Sequence, residues 1–209
     1  MTRCVGVILA GGQALRYGGR PKGLERVGGE RVIDRVADAL AQASDDLLLI
    51  ANDPGAGRWL PGVRVASDVR PGCGGLGGVH AALVHAGAST LVVAWDMPFV
   101  PPALLRDLRA LGADGDVAVP ESASRRGVEP LCAFYTPACI APIERSLDAG
   151  DRRVITFFDA VRVARLPLDA VRTHGDPELL FFNVNTPSDL AIAERHASTT
   201  VADDHRPQA

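Results

Sequence analysis

The sequence predicts an α/β fold, a three-layer α/β/α sandwich built on a Rossmann-like, mostly parallel sheet. Short runs rich in Val, Ile and Leu alternate along the chain with stretches whose apolar residues recur at helical spacing. The runs are apolar throughout rather than alternately polar, as strands covered on both faces require. Strand, helix, strand in repetition closes through right-handed crossovers into three layers.

CVGVILA (4–10) is the first predicted strand. After a glycine-rich loop, ERVIDRVADALAQA (30–43) places Val32, Ile33, Val36, Ala37 and Leu40 on one helical stripe. DLLLIAN (46–52), VRVASD (63–68) and STLVVAWD (89–96) read as the next strands, with helices in GVHAALVHAG (78–87) and PALLRDLRALG (102–112). The second half is less regular. DVAVPE (116–121), EPLCAFYTP (129–137) and VRVARLPL (161–168) read as strands, and ACIAPIERSLDAG (138–150) and RRVITFFDAV (152–161) as helices. PSDLAIAERHA (187–197) is a closing helix with Thr186 or Ser188 at its start. SASRRGVE (122–129) is polar and expected to be a mobile loop over the site, and 198–209 has no pattern and is expected to be a disordered tail.

The length of 209 residues, without repeat or linker, predicts one domain over 1–197. A net charge of −3 supplies neither a nucleic-acid footprint nor a basic membrane patch. The apolar run at the N-terminus is too short for a signal peptide or membrane span, so the chain is read as cytoplasmic. Cys4, Cys73, Cys132 and Cys139 lack C-x-x-C spacing, and the five histidines are scattered, so structural zinc is not expected.

In an open α/β sheet, ligands bind beyond the carboxyl ends of the strands. Four predicted strands end there in Ala10-Gly11-Gly12, Asn52, Asp68 and Asp96. Asn52 also suits a turn before Pro54-Gly55, and Asp68 suits a turn or an ion pair with Arg70. Asp96 is more demanding: it follows LVVAW where the chain leaves the core, and a carboxylate there needs a cation, which favours a metal over a turn.

The loop after the first strand matches neither G-x-G-x-x-G nor the Walker G-K-[ST], because Lys22 lies between Pro21 and Gly23. Gly11 and Gly12 remove side chains so that backbone N–H groups can approach a base or phosphate closely, and Arg16, Arg20 and Lys22 supply charge to offset a triphosphate.

LAGGQALRYGGRPK resembles the L-A-G-G-x-S-x-R-M-G-x-x-K signature of nucleotidyltransferases that transfer a nucleoside monophosphate onto a phosphate. With DMPF (96–99), EPLCAFY (129–135), AGDRRVITFFD (149–159) and FFNVNTPSDL (181–190), in that order, the chain is similar to the molybdenum cofactor guanylyltransferase (MobA) family from Val5 to about Glu194. The resemblance implies transfer of GMP from GTP to the terminal phosphate of molybdopterin, with Mg²⁺ as cofactor and release of pyrophosphate. It implies a nucleotide-binding N-terminal half and a molybdopterin acceptor half at the C-terminus. Molybdoenzyme apoproteins or other cofactor-biosynthesis proteins would be further partners. By resemblance, Leu9, Ala10 and Gly11 line the guanine pocket, Gly12 joins them in binding GTP, and Lys22 and Arg16 hold the phosphates. Asn52 and Asp68 bind the nucleotide, Asp96 holds Mg²⁺, and Asn183 and Asn185 lie near the reacting centre. Arg125, Arg126, Arg152, Arg153 and Glu129 are candidates for the acceptor side.

The chain departs from the signature at Ala14 and Tyr17, and Gly75 stands where the family's G-P-L-A-G-I segment has proline, which bears on base specificity. Three alternatives stay open: a cytidylyltransferase, a sugar-phosphate nucleotidyltransferase, or a non-catalytic nucleotide-binding carrier of the cofactor.

Overall fold

The computed structural model describes residues 2–11 and 22–203. In chain order it comprises strand β1 (Cys4–Ala10), two-residue strands β2 (Arg26–Val27) and β3 (Glu30–Arg31), helix α1 (Val32–Ala41), β4 (Asp46–Ala51) and β5 (Arg64–Ala66). Next come α2 (Gly74–Ala86), β6 (Ser89–Ala94), α3 (Pro102–Leu111), β7 (Val117–Pro120), β8 (Cys132–Tyr135), α4 (Ile140–Asp148) and β9 (Val163–Leu166). Three helices close the chain: α5 (Leu168–Arg172), α6 (Pro177–Leu180) and α7 (Pro187–Asp203).

The main sheet has seven strands in the order β5-β4-β1-β6-β8-β7-β9. β5, β4, β1 and β6 are mutually parallel, β8 runs antiparallel to both neighbours, and β9 pairs parallel with β7. This is the expected α/β class, with one reversed strand. The two-residue side-chain period divides β1 between two cores. Cys4, Ile8 and Ala10 pack with α1 and α3 through Ile33, Val36, Leu40, Leu104 and Leu108. Val5, Val7 and Leu9 pack with α2 and α4 through Leu76, Val79, Leu83 and Ile143. Two buried faces account for the continuously apolar strand.

Four segments differ from expectation. α2 begins at Gly74, four residues before the predicted start, despite the low helix propensity of its glycines. Close packing decides this: a β-carbon at Gly78 would lie 3.3 Å from Leu9, so the bare helix face can sit tightly on β1. The predicted helix at 152–161 is a series of turns ending in a 3-10 turn at Phe158–Ala160. Asp151 accepts bonds from the Arg153 backbone N–H (3.0 Å) and the Thr156 hydroxyl (2.7 Å), and the β-branched run Val154-Ile155-Thr156 resists helix. Residues 122–129 form a closed turn rather than an open loop, with a Glu121–Val128 bridge and a 2.9 Å bond from Gly127 N–H to the Ser124 carbonyl. Finally, α7 continues through Asp203, beyond Ser198 where the tail was expected to start. Ala193 and Ala197 are buried with Val27, Val32 and Val184, and a seated helix propagates at low cost. Residues 204–209 lie outside the described residues.

The β2–β3 hairpin was not predicted. Gly28 (φ 61°) and Gly29 (φ 82°) take the two left-handed positions of its turn, a conformation that glycine adopts without strain. α7 braces it: the Gly28 N–H donates to Glu194 Oε2 at 3.1 Å.

Candidate active site

Because β5, β4, β1 and β6 are parallel, their carboxyl ends share one edge, and a cleft of about 660 Å³ opens there. That volume lies within the roughly 300–1,000 Å³ usual for small-molecule sites. Leu9, Ala10 and Gly11 form its floor where β1 ends, and Asn52 and Asp68 stand beyond β4 and β5. Lys22, Asp96 and Asn183 line the same cleft. The first turn of α2 contributes Gly74 and Gly75, presenting the positive end of a helix and backbone N–H groups at the wall, and Gly78 follows one turn on. A β-carbon at Gly75 would lie 3.0 Å from Val154, so the glycine that replaces the signature proline is packed within a helix.

The cation that meets Asp96 among the described residues is Lys22. Lys22 opens a 3-10 turn (Lys22–Leu24), and its Nζ donates both to Asp96 Oδ2 and, at 2.6 Å, to Asn185 Oδ1. The side chains are only 16% and 8% exposed, so each charge depends on the other for compensation.

Asn183 and Asn185 reach this cluster through local geometry. The Val184 N–H donates to the Asp96 carbonyl at 2.9 Å, and the Val184 side chain is buried. Its two neighbours turn to the site: Asn183 lines the cleft and Asn185 meets Lys22. Thr186 caps α7 by accepting from the Asp189 N–H (3.1 Å), while Asp189 Oδ2 accepts from the Asn185 N–H (3.0 Å). This capping arrangement holds Asn185 in place.

Asn52 and Asp68 are locked to each other rather than serving as independent turn formers. Asn52 Nδ2 donates to Asp68 Oδ2 at 2.8 Å, and the Asp68 N–H donates to Asn52 Oδ1 at 2.9 Å. Arg70 pairs with Asp148 at 2.6 Å and not with Asp68.

Sequence reading missed an aromatic wall. Trp59 and Trp95 line the cleft and stack with centroids 5.2 Å apart and planes at 21°. Tryptophan directly before Asp96 was the available signal, hidden because Trp95 reads as the end of an apolar strand. Glu129 is half-buried and accepts from the Leu131 N–H at 3.2 Å. Burial pushes its carboxyl above the usual carboxylate range and the Asp96 charge adds to this, against the Leu131 N–H and Arg126. Residues 122–128 do not line the cleft, so Arg125 and Arg126 lie outside its wall. Arg153 is spent on Asp151 at 2.5 Å. Gly12, Arg16 and Arg20 lie outside the described residues.

Among the described residues no group of three His, Cys, Asp or Glu side chains is placed to hold a metal ion. Asp96 offers the cleft one carboxylate, the hard-oxygen donor type that Mg²⁺ takes, with its Oδ2 bonded to Lys22.

Residues 6–166 match the model of the MobA-like NTP transferase domain. The chain belongs to the MobA-like NTP transferase family. One relative of this MobA-like chain, named "Probable molybdenum cofactor guanylyltransferase", from Pelotomaculum thermopropionicum, is 43% identical over 92% of this chain and 93% of its own length. Another, the molybdenum cofactor guanylyltransferase of Desulfosudis oleivorans, is 36% identical over 93% and 96%. Among solved structures, the molybdopterin-guanine dinucleotide biosynthesis protein A of Archaeoglobus fulgidus superposes with a TM-score of 0.78 at 28% identity, covering 93% of this chain and 99% of that one. No described helix is long and apolar enough to cross a membrane.

Proposed function

We infer that this MobA-like NTP transferase carries GMP from GTP to the terminal phosphate of molybdopterin, releasing pyrophosphate and forming the guanine dinucleotide form of the molybdenum cofactor. One observation carries the reading. Near full-length similarity to proteins named molybdenum cofactor guanylyltransferase coincides with the convergence of Lys22, Asp96 and Asn183 at a single cleft, with Asn185 bonded to Lys22.

The chemistry asks little of acids and bases. A phosphate monoester has a second pKa near about 6, so the acceptor oxygen is already ionised at neutral pH and needs no general base. It bonds to the α-phosphorus of GTP while the bond from that phosphorus to the bridging oxygen breaks, and that oxygen leaves with pyrophosphate. The cost lies in bringing two polyanions together and holding them in line.

Lys22 is the group in place to offset that charge. The triphosphate competes with Asp96 for its ammonium, and Asn185, already a partner of Lys22, keeps it oriented. Asn183 borders the same space, its amide held by a 2.8 Å bond from Nδ2 to the Phe181 carbonyl, and would orient the reacting phosphates. Leu9, Ala10, Gly11 and the glycines of α2 accept the flat base against backbone, while the interlocked Asn52–Asp68 pair supplies polar contacts to the nucleoside. Asp96 is the residue that would hold Mg²⁺, which when bound supplies charge neutralisation of the triphosphate. Arg16 and Gly12 would complete the phosphate and base contacts. The N-terminal half binds nucleotide and the C-terminal half the acceptor, within one domain over 1–197. We place the reaction in the cytoplasm, a setting supported by four free cysteines.

The test is transfer by single-site variants. Asp96→Ala and Lys22→Ala should each lower pyrophosphate release from GTP and molybdopterin by about 100-fold or more. Release at the wild-type rate in either would remove that residue from the reaction.

A further inference from the structure

The contacts of Gly23 carry an inference about how the Lys22–Asp96 pair is set. Gly23 is buried, and a β-carbon there would lie 2.4 Å from Cε3 and 2.7 Å from Cδ2 of Trp95. The indole therefore rests on the bare Cα of the residue next to Lys22, and it belongs to the residue next to Asp96. On its other side it stacks on Trp59, whose carbonyl accepts from Arg31 Nη2 at 3.0 Å. Among the described residues the buried Trp95 N–H has no hydrogen-bond partner, and the ring is held by its packing against Gly23 and Trp59. The backbone behind Gly23 is tied as well: the Val32 N–H donates to the Glu25 carbonyl at 2.9 Å.

We propose that Gly23 and Trp95 are positioning residues, a glycine–indole seat that sets the height at which Lys22 meets Asp96 and Asn185. Carbon atoms in contact sit about 3.5–4.0 Å apart, so a methyl at 2.4 Å must displace the turn or the ring by about 1 Å. Misplacement on that scale costs about 100-fold in rate. This proposal rests on the GMP-transfer reading for its activity arm but not for its stability arm.

In the activity arm, Gly23→Ala lowers kcat about 100-fold with the KM for GTP changed less than threefold. Trp95→Leu, which adds no clash, lowers kcat about tenfold through loss of the seat. The double variant Gly23→Ala/Trp95→Leu, with the indole cleared from the new methyl, regains at least tenfold in kcat over Gly23→Ala. In the stability arm, the coupling between Lys22 and Asp96, measured by urea unfolding of Lys22→Ala, Asp96→Ala and their combination, falls by more than half in the Trp95→Leu background. A wild-type kcat in Gly23→Ala or Trp95→Leu, no rescue in the double variant, or an undiminished coupling would overturn the proposal. If Gly23→Ala does not fold, Trp95→Leu and the coupling decide it. A wild-type chain that transfers no GMP sinks the functional reading instead, and the coupling measurement still decides the seat.

Discussion

Truncating Lys22 to alanine leaves the Asp96 carboxylate, 8% exposed, without a cation among the described residues. Breaking a buried ion pair from one side costs roughly 3–5 kcal/mol, because the remaining charge keeps its desolvation penalty. Here the pair lies at the wall of an open cleft, and water reaches in to relieve part of that penalty. The expected cost of Lys22→Ala is therefore about 2–3 kcal/mol at neutral pH. For a chain of this length that lowers the melting temperature by roughly 5–10 °C. Asp96→Ala costs less, since Lys22 is the more exposed partner at 16% and its flexible stem carries the ammonium outward to water. Removing both partners returns most of the loss, so the double variant is more stable than Lys22→Ala alone, with a coupling of about 2 kcal/mol. Activity behaves in the opposite sense, because the triphosphate still lacks its cation: transfer is as low in the double variant as in the single ones. Urea unfolding followed by circular dichroism supplies the stability cycle, and pyrophosphate release supplies the activity. Additive stability effects would refute the claim that each charge compensates the other, and recovery of activity along with stability would show that Lys22 serves the fold alone.

Other predictions concern the surroundings of the cleft. Burial pushes the Cys4 thiol up to about 11, the Cys139 thiol up to about 12 and that of Cys132 higher still, whereas Cys73 is half-exposed beside the cleft. A thiol reagent at pH 8 should therefore modify one cysteine quickly in the native protein and all four after denaturation, with GTP slowing the first. Glu129 titrates above its ordinary 4.5 in the folded state, so its stabilising contribution is present below 4.5 and is lost as pH rises through the folded value. Against Glu129→Gln, wild type should then lose relative stability as pH rises above 4.5, and a flat difference would contradict the burial argument. Tyr135 donates its buried hydroxyl to the Pro130 carbonyl at 2.7 Å, so Tyr135→Phe should cost about 1–2 kcal/mol in urea unfolding. An unchanged midpoint would show that the strand does not rely on this bond.

What the sequence made legible followed from period and position. The parallel strands were readable because both of their faces are buried, and the ends at Asn52, Asp68 and Asp96 were readable because polar residues close apolar runs. The meeting of Lys22 with Asp96 and Asn185 spans separations of 74 and 163 residues, and no local pattern encodes it. Resemblance to a family brought these residues into one argument; the geometry shows that Lys22 itself answers Asp96. Local propensity failed where tertiary packing outweighed it. Glycines at 74–78 enter a helix that packs closely through Gly75 on Val154 and through Gly78 on Leu9 of β1, and residues 152–161 stay in turns because Asp151 draws in their polar groups. The Trp59–Trp95 stack was hidden because apolar runs do not reveal which aromatic ring faces a cleft.

Guanylyl transfer at the Lys22–Asp96 cleft leaves a product that can be weighed. Incubation of the protein with molybdopterin, Mg²⁺ and each nucleoside triphosphate in turn, followed by mass analysis of the pterin, tests it directly. The expected result is a pterin heavier by one GMP with GTP and none of that product with Asp96→Ala. A cytidylyl adduct, or a pterin unchanged by any of the four nucleotides, would contradict it.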